Sequence, residues 1–132
     1  MHNNPADAIG ECLMKKKILV CDDEKGVRES LKLILSDKYD IVFAENGEKA
    51  IEEIEHYPDI KGVLLDIKMP SLNGIELLKY IKKQRKDMPV IVVTGYQSVE
   101  TAAESLNAGA INYITKPFAS QTVIEALEQV IS

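Results

Sequence analysis

Ile18-Leu19-Val20-Cys21-Asp22-Asp23 decides how the chain reads: four apolar residues stop abruptly at two acids. Beyond them Val27, Leu31, Ile34 and Leu35 recur at intervals of three and four. A short, continuous apolar run is the mark of a strand buried on both faces, and the spacing that follows it is one side of a helix. The unit then repeats. Ile41-Val42-Phe43-Ala44 precedes a helix with Ala50, Ile51 and Ile54, which Asn46 is placed to cap; Val63-Leu64-Leu65 precedes one with Ile75, Leu77, Leu78 and Ile81. Pro89 opens Val90-Ile91-Val92-Val93, and a helix is expected from about Ser98 to Asn107, with Gly109 at its C-cap. Ile111-Asn112-Tyr113-Ile114 leads into a last helix carrying Val123, Ile124, Leu127, Val130 and Ile131. Five strands alternating with five helices specify an α/β fold: one doubly wound, five-stranded parallel sheet, covered on both faces.

A length of 132 residues is that of one domain. Residues 1–15, polar and without a sustained period, are expected to be a flexible N-terminal extension, and 16–132 the domain. Met14, ahead of Lys15-Lys16-Lys17, is a candidate natural start. A net charge of -5, from 21 acids and 16 bases, argues against nucleic acid or an anionic membrane as the main partner. Cys12 and Cys21 are too few for a secreted disulfide scaffold and lack zinc-ligand companions, and no apolar run approaches the roughly 20 residues of a membrane span. A cytoplasmic protein is expected.

Ligands of open α/β sheets bind beyond the carboxyl ends of the strands, so the residues just past each apolar run are the informative ones. Asp22 and Asp23 follow the first strand, Asp66 ends the third, Thr94 follows the fourth, and Thr115 and Lys116 follow the fifth. If strands one and three are neighbours, as the sheet order 2-1-3-4-5 requires, three carboxylates crowd together and call for a cation. Oxygen donors without Cys or His select a hard ion, Mg²⁺ with Mn²⁺ able to substitute; the loop Asp22 to Gly26 lacks the oxygen spacing of an EF-hand. The chain has no P-loop and no G-x-S-x-G elbow, its first loop offers carboxylates where a flavin phosphate needs hydroxyls and amides, and His2 and His56 are poorly placed as bases. What remains is phosphoryl chemistry on Asp66, a carboxylate nucleophile that would form an aspartyl phosphate, with charge from Lys116 and a hydrogen bond from Thr94. Singly, each residue has a structural reading: Asp22 and Asp23 as first-turn acids of a helix, Lys116 as a solvated lysine, Cys21 as a small buried apolar residue. Their convergence favours the chemistry.

Four motifs, Val20-Cys21-Asp22-Asp23-Glu24, Leu64-Leu65-Asp66-Ile67-Lys68-Met69-Pro70 with Gly74, Val92-Val93-Thr94-Gly95, and Tyr113-Ile114-Thr115-Lys116-Pro117-Phe118, resemble those of the receiver domains of two-component response regulators, over roughly residues 16–132. The resemblance implies a flavodoxin-like receiver fold in which Asp66 accepts phosphate from the phosphohistidine of a histidine kinase or phosphotransfer protein. It implies that Asp23, Asp66 and the backbone carbonyl of Lys68 ligate Mg²⁺, with Asp22 acting mainly through a metal-bound water, and that Thr94 and Lys116 hold the acyl phosphate. Tyr113 would be a switch aromatic that turns inward as Thr94 moves, although apart from the resemblance it reads more readily as a half-buried strand residue. Lys116–Pro117 would be a cis peptide. Phosphorylation would shift the fourth helix, fifth strand and fifth helix, the surface for a downstream protein partner, in a monomer or a phosphorylation-dependent dimer.

Lys68 and Tyr96 should flank the phosphoryl group and, by obstructing water, slow its hydrolysis. Gly26, Val27 and Phe118 would form an apolar rim where a kinase docks, with Val27 equally readable as core. The fourth helix has few large apolar residues, so mobility is expected there. Three other readings stand beside the first: a receiver cut from a larger transcription regulator or hybrid kinase, an aspartate-nucleophile phosphatase, and a binding module independent of phosphorylation. The phosphatase would want a second Asp at position 68, which is Lys. No diffusible small-molecule substrate is expected.

Overall fold

A computed structural model describes residues 15–69 and 73–131. The expected extension, with Cys12 and the candidate start Met14, lies outside the described residues apart from Lys15, as does Pro70. The elements alternate strictly: β1 (Lys16–Cys21), α1 (Lys25–Leu35), β2 (Tyr39–Ala44), α2 (Gly47–His56), β3 (Ile60–Leu65), α3 (Gly74–Gln84), β4 (Val90–Thr94), α4 (Val99–Asn107), β5 (Asn112–Thr115) and α5 (Ser120–Val130). The strands form one parallel sheet in the order β2-β1-β3-β4-β5.

Strand residues alternate between faces, and each face has its own core. Leu19, Cys21, Val63, Leu65, Val90 and Val92 pack with Ala50 and Ile54 of α2 and Leu77, Leu78 and Ile81 of α3. Ile18, Val20, Leu64, Ile91, Val93 and Ile114 pack on the other side with Leu31 and Leu35 of α1 and Val123 and Leu127 of α5. Asn46 caps α2, its side chain accepting the Lys49 N–H at 2.8 Å. Arg85, ending α3, donates to the carbonyls of Ile54, Tyr57 and Ile60 and so ties α3 to the turn between α2 and β3.

Several strand bounds differ from the hydrophobic pattern because pairing, not hydropathy, sets them. β2 and β3 begin earlier than their apolar runs, where Tyr39 pairs with Lys16 and Ile60 with Lys17. β5 is shifted by one residue: it runs on to Thr115, paired with Thr94, and leaves Ile111 outside, its side chain exposed while its N–H donates to Val90 O. Gly109 has φ +113°, the left-handed region that glycine tolerates, one residue past the Ala108 cap of α4. Among the described residues, no helix is long and apolar enough to cross a membrane.

Candidate functional site

All five strands end at one edge, and two extra ladder bonds carry the acids onto it. The Asp22 N–H donates to Ala44 O at 3.0 Å and the Asp66 N–H to Cys21 O at 2.9 Å, extending the pairing one residue beyond β1 and β3. Each carboxylate then turns back on its own loop: Asp22 Oδ1 accepts the Glu24 N–H and Asp66 Oδ1 the Lys68 N–H, both at 2.9 Å. Their other oxygens meet one cation. Lys116 Nζ lies 2.8 Å from Asp22 Oδ2, 2.9 Å from Asp66 Oδ2 and 3.0 Å from Glu24 Oε1. Lys116 is itself fixed by its N–H to Thr94 O at 2.8 Å, and the Lys116–Pro117 bond is cis.

The Asp22 and Asp66 side chains are each only 3% exposed. Burial pushes the Asp22 carboxyl above its ordinary range, opposed by Lys116 and the Glu24 N–H and reinforced by the charge of Asp66. For Lys116 burial acts to lower the pKa, but its contacts with Asp22, Asp66 and Glu24 prevail and hold it well above the usual lysine value. Cys21, buried beneath the acids with Met69 Sδ 3.5 Å from its sulfur, is pushed up to about 12 by burial first and by the three nearby aspartates second. It is a packing residue.

Asp22, Asp23, Glu24 and Asp66 each offer a carboxylate oxygen within 4.8 Å of the others. Four carboxylates against one ammonium leave an excess of negative charge, presented by oxygen alone, a donor set able to hold a hard divalent cation. Thr94 closes β4, fully buried, its Oγ1 accepting the Tyr96 N–H at 3.4 Å. The half-buried Tyr113 donates its hydroxyl to Tyr96 O at 2.5 Å and thereby ties β5 to the loop before α4.

Lys68 and Tyr96 do come together, the Lys68 Nζ lying 5.7 Å from the centre of the Tyr96 ring. Both line an open groove of about 840 Å³ beside Asp23 and Glu24, with Thr101 and Glu104 of α4 on its far wall. Of the expected apolar rim, Gly26 is exposed, whereas Val27 and Phe118 are half-buried and pack against the core beneath α1 and α5. His56 ends α2 edge-on to Tyr57.

Two participants escaped the sequence reading. Glu24 is the third acid in the row and the outer partner of Lys116, and its adjacency to Asp23 was the available signal. Arg28, one turn into α1, donates from Nη1 to Asp22 O at 2.7 Å and braces the acidic loop from behind, a contact that the sequence does not announce.

Residues 18–128 match the family model described as the response regulator receiver domain. The chain is 38% identical over 113 residues to the response regulator MprA of Mycobacterium sp. (strain KMS), covering 84% of this chain and 48% of that protein. It therefore spans about half the length of the curated relatives it matches. A crystal structure of a CheY-like response regulator receiver domain protein from Methanospirillum hungatei JF-1 superposes with TM-score 0.82 at 37% identity, covering 86% of this chain and 91% of that one. NtrX from Brucella abortus superposes with TM-score 0.83 at 34% identity, covering 89% of this chain and 27% of that one.

Proposed function

Because the chain belongs to the family of response regulator receiver domains, we propose that it is a phosphorylation switch whose acceptor is Asp66. The observation that carries this reading is the single ammonium of Lys116, shared by Asp22 and Asp66 at the rim of the sheet. In the transfer, an Asp66 oxygen attacks the phosphorus of a phosphohistidine, the P–O bond forms as the P–N bond breaks, and the imidazole nitrogen leaves with the electron pair. Lys116 then neutralises phosphoryl oxygen in place of carboxylate, and the Thr94 hydroxyl, released from the Tyr96 N–H, hydrogen-bonds the group. That movement opens the space into which Tyr113 turns once it lets go of Tyr96 O, and α4, β5 and α5 present the altered surface to a downstream protein.

Asp23 and Asp66, with the Lys68 carbonyl, would hold Mg²⁺, and Asp22 would act through a bound water; the ion supplies charge stabilisation for the transferring group. Lys68 and Tyr96 shield the product from water, while Gly26, Val27 and Phe118 face the donor histidine kinase or phosphotransfer protein. The protein acts on its own carboxylate in the cytoplasm and turns over no small-molecule substrate. In a longer regulator the same switch would govern the attached output, a reading supported by relatives of whose length the match covers 48%.

Intact mass after acetyl phosphate and Mg²⁺ tests the acceptor. One phosphoryl adduct is expected, absent without metal and absent in Asp66→Asn. Folded, metal-competent protein that gains no adduct from acetyl phosphate or from candidate kinases would overturn the reading.

A further inference from the structure

The helix α4 shows its apolar side to solvent. Ser105 is its one fully buried residue, with Thr101 half-buried one turn before it, whereas Val99, Ala103 and Leu106, at i, i+4 and i+7, form an exposed stripe. Val99 is 84% and Leu106 50% exposed. The stripe continues to Ile111, 55% exposed, in a groove of about 600 Å³ beside the edge strand β5, where Leu106, Pro89 and Gln129 are joined by one base, Lys82, and one acid, Asp87. Of the five exposed large apolar side chains among the described residues, only Leu33 lies elsewhere, Tyr96 preceding the same helix. Concentrated in this way, they mark an interaction surface rather than scatter.

Acids outnumber bases on the same side, where the Lys82 ammonium in the groove donates to Met88 O at 2.8 Å. Every Lys and Arg except Lys116 lies at or before residue 86, whereas Asp87, Glu100, Glu104, Glu125 and Glu128 follow. Lys116 is engaged by Asp22, Asp66 and Glu24, and Glu128 by Lys38 at 2.9 Å. Glu100 and Glu104 border the stripe on α4, and Glu125 stands one turn before Gln129 on α5; among the described residues none of the three is in an ion pair.

We propose that this face docks a basic amphipathic segment of another protein, its apolar anchors seated along Val99, Ala103, Leu106 and Ile111 and its Lys and Arg side chains meeting Glu100, Glu104 and Glu125. The inference rests on the switch reading above for its claim that this is the output surface, and adds the chemistry of the partner. A second copy of the chain is the wrong occupant, because symmetric pairing sets Glu100, Glu104 and Glu125 against themselves, while the Lys82 ammonium is held by the Met88 carbonyl.

The test titrates the ¹⁵N-labelled protein, with and without acetyl phosphate and Mg²⁺, with three synthetic peptides: an amphipathic Leu/Lys helix, its Leu/Glu counterpart, and a scrambled Leu/Lys sequence of equal charge. Saturable amide shifts are expected with the first alone, centred on residues 99–111 and the Gln121–Gln129 side of α5. Glu100→Lys with Glu125→Lys should weaken binding at least about tenfold, as should Val99→Asn with Leu106→Asn, each double variant keeping the native circular dichroism spectrum. Equal binding of the scrambled or acidic peptide, shifts centred on another face, or self-association through α4 in sedimentation would overturn the proposal. Intact mass of the same samples reports the Asp66 adduct independently. Peptide binding without an adduct upholds the surface and removes the switch, and an adduct without peptide binding does the reverse.

Discussion

The neighbouring helices α3 and α4 start alike: Asn73 caps one by accepting the Ile75 N–H at 2.9 Å, and Ser98 caps the other by accepting the Thr101 N–H at 3.0 Å. Their anchorage differs completely. α3 buries Gly74, Ile75, Leu77, Leu78 and Ile81, whereas α4 buries Ser105 alone. Burial of apolar area is what holds a helix to a sheet, so a cap without burial gives a helix that is formed but weakly attached. The division has a functional sense. The anchored helix comes after Asp66, the proposed acceptor, and the loosely attached one after Thr94 and Tyr96, where the proposed switch would move.

Two glycines, Gly74 opening α3 and Gly95 before α4, offer the strongest way to break this comparison. A Cβ at Gly74 would overlap Ile67 Cα and lie 2.7 Å from the Ile67 carbonyl oxygen, a backbone collision that no rotamer relieves; at Gly95 it would meet nothing within 4 Å. Gly74→Ala should therefore cost about 3 kcal/mol or more in urea unfolding and abolish the Asp66 adduct, while Gly95→Ala stays within about 0.5 kcal/mol. Equal costs would mean that the two positions are equally constrained.

Side chains of the helices themselves come next. Leu77→Ala, emptying a fully buried position, should destabilise by about 3 kcal/mol, and Val99→Ala, on the outward stripe, by less than about 0.5 kcal/mol. A large loss at Val99 would show that α4 is packed in solution in a way its exposure contradicts.

A smaller effect sharpens the account of the rigid side. Because the folded pKa of Asp22 is raised, its contribution to stability is full below the unfolded value and is lost as pH rises through the folded one. Without metal, Asp22→Asn should accordingly be more stable than the wild type at neutral pH, with the gap closing on acidification through the carboxylate range. Added Mg²⁺ should reverse the order, since the variant has less charge to offer the ion. Parallel pH profiles for the two proteins would show that Asp22 carries no buried-charge cost.

How much of this was legible follows the reach of the signal. The strands and the acids at their ends lie next to one another in the chain, so Ile18 to Asp23 could be read directly, and Asp66, Thr94 and Lys116 were placed by the parallel order. What periodicity withholds is direction. Val99, Ala103 and Leu106 have the spacing of a core stripe, and only the packing reveals that the stripe points outward. Val27 and Phe118 are divided in the same way, each half-exposed and half packed on the core, a partition that spacing alone does not give. The hold of Arg28 on the Asp22 carbonyl and of Tyr113 on Tyr96 are single contacts made by the fold, which no local pattern encodes.

The caps provide the finest test, because they separate the formation of a helix from its attachment. Removing a capping side chain costs a helix roughly 1 kcal/mol wherever it sits, but the loss reaches global stability only through a helix coupled to the core. Asn73→Ala should therefore lower the unfolding free energy by about 1 kcal/mol, since α3 unfolds only with the sheet that buries Leu77 and Leu78. Ser98→Ala should lower it by no more than a few tenths, roughly, while amide exchange quickens across Thr101–Asn107 and stays unchanged in α3. This separation is the one that a switch requires: a segment able to open and close on its own, fixed at one end by the buried Thr94, while the neighbouring scaffold keeps the acids in place. If Ser98→Ala instead weakened both helices together, α3 and α4 would form one cooperative unit, and the mobility assigned to α4 would have to come from phosphorylation itself.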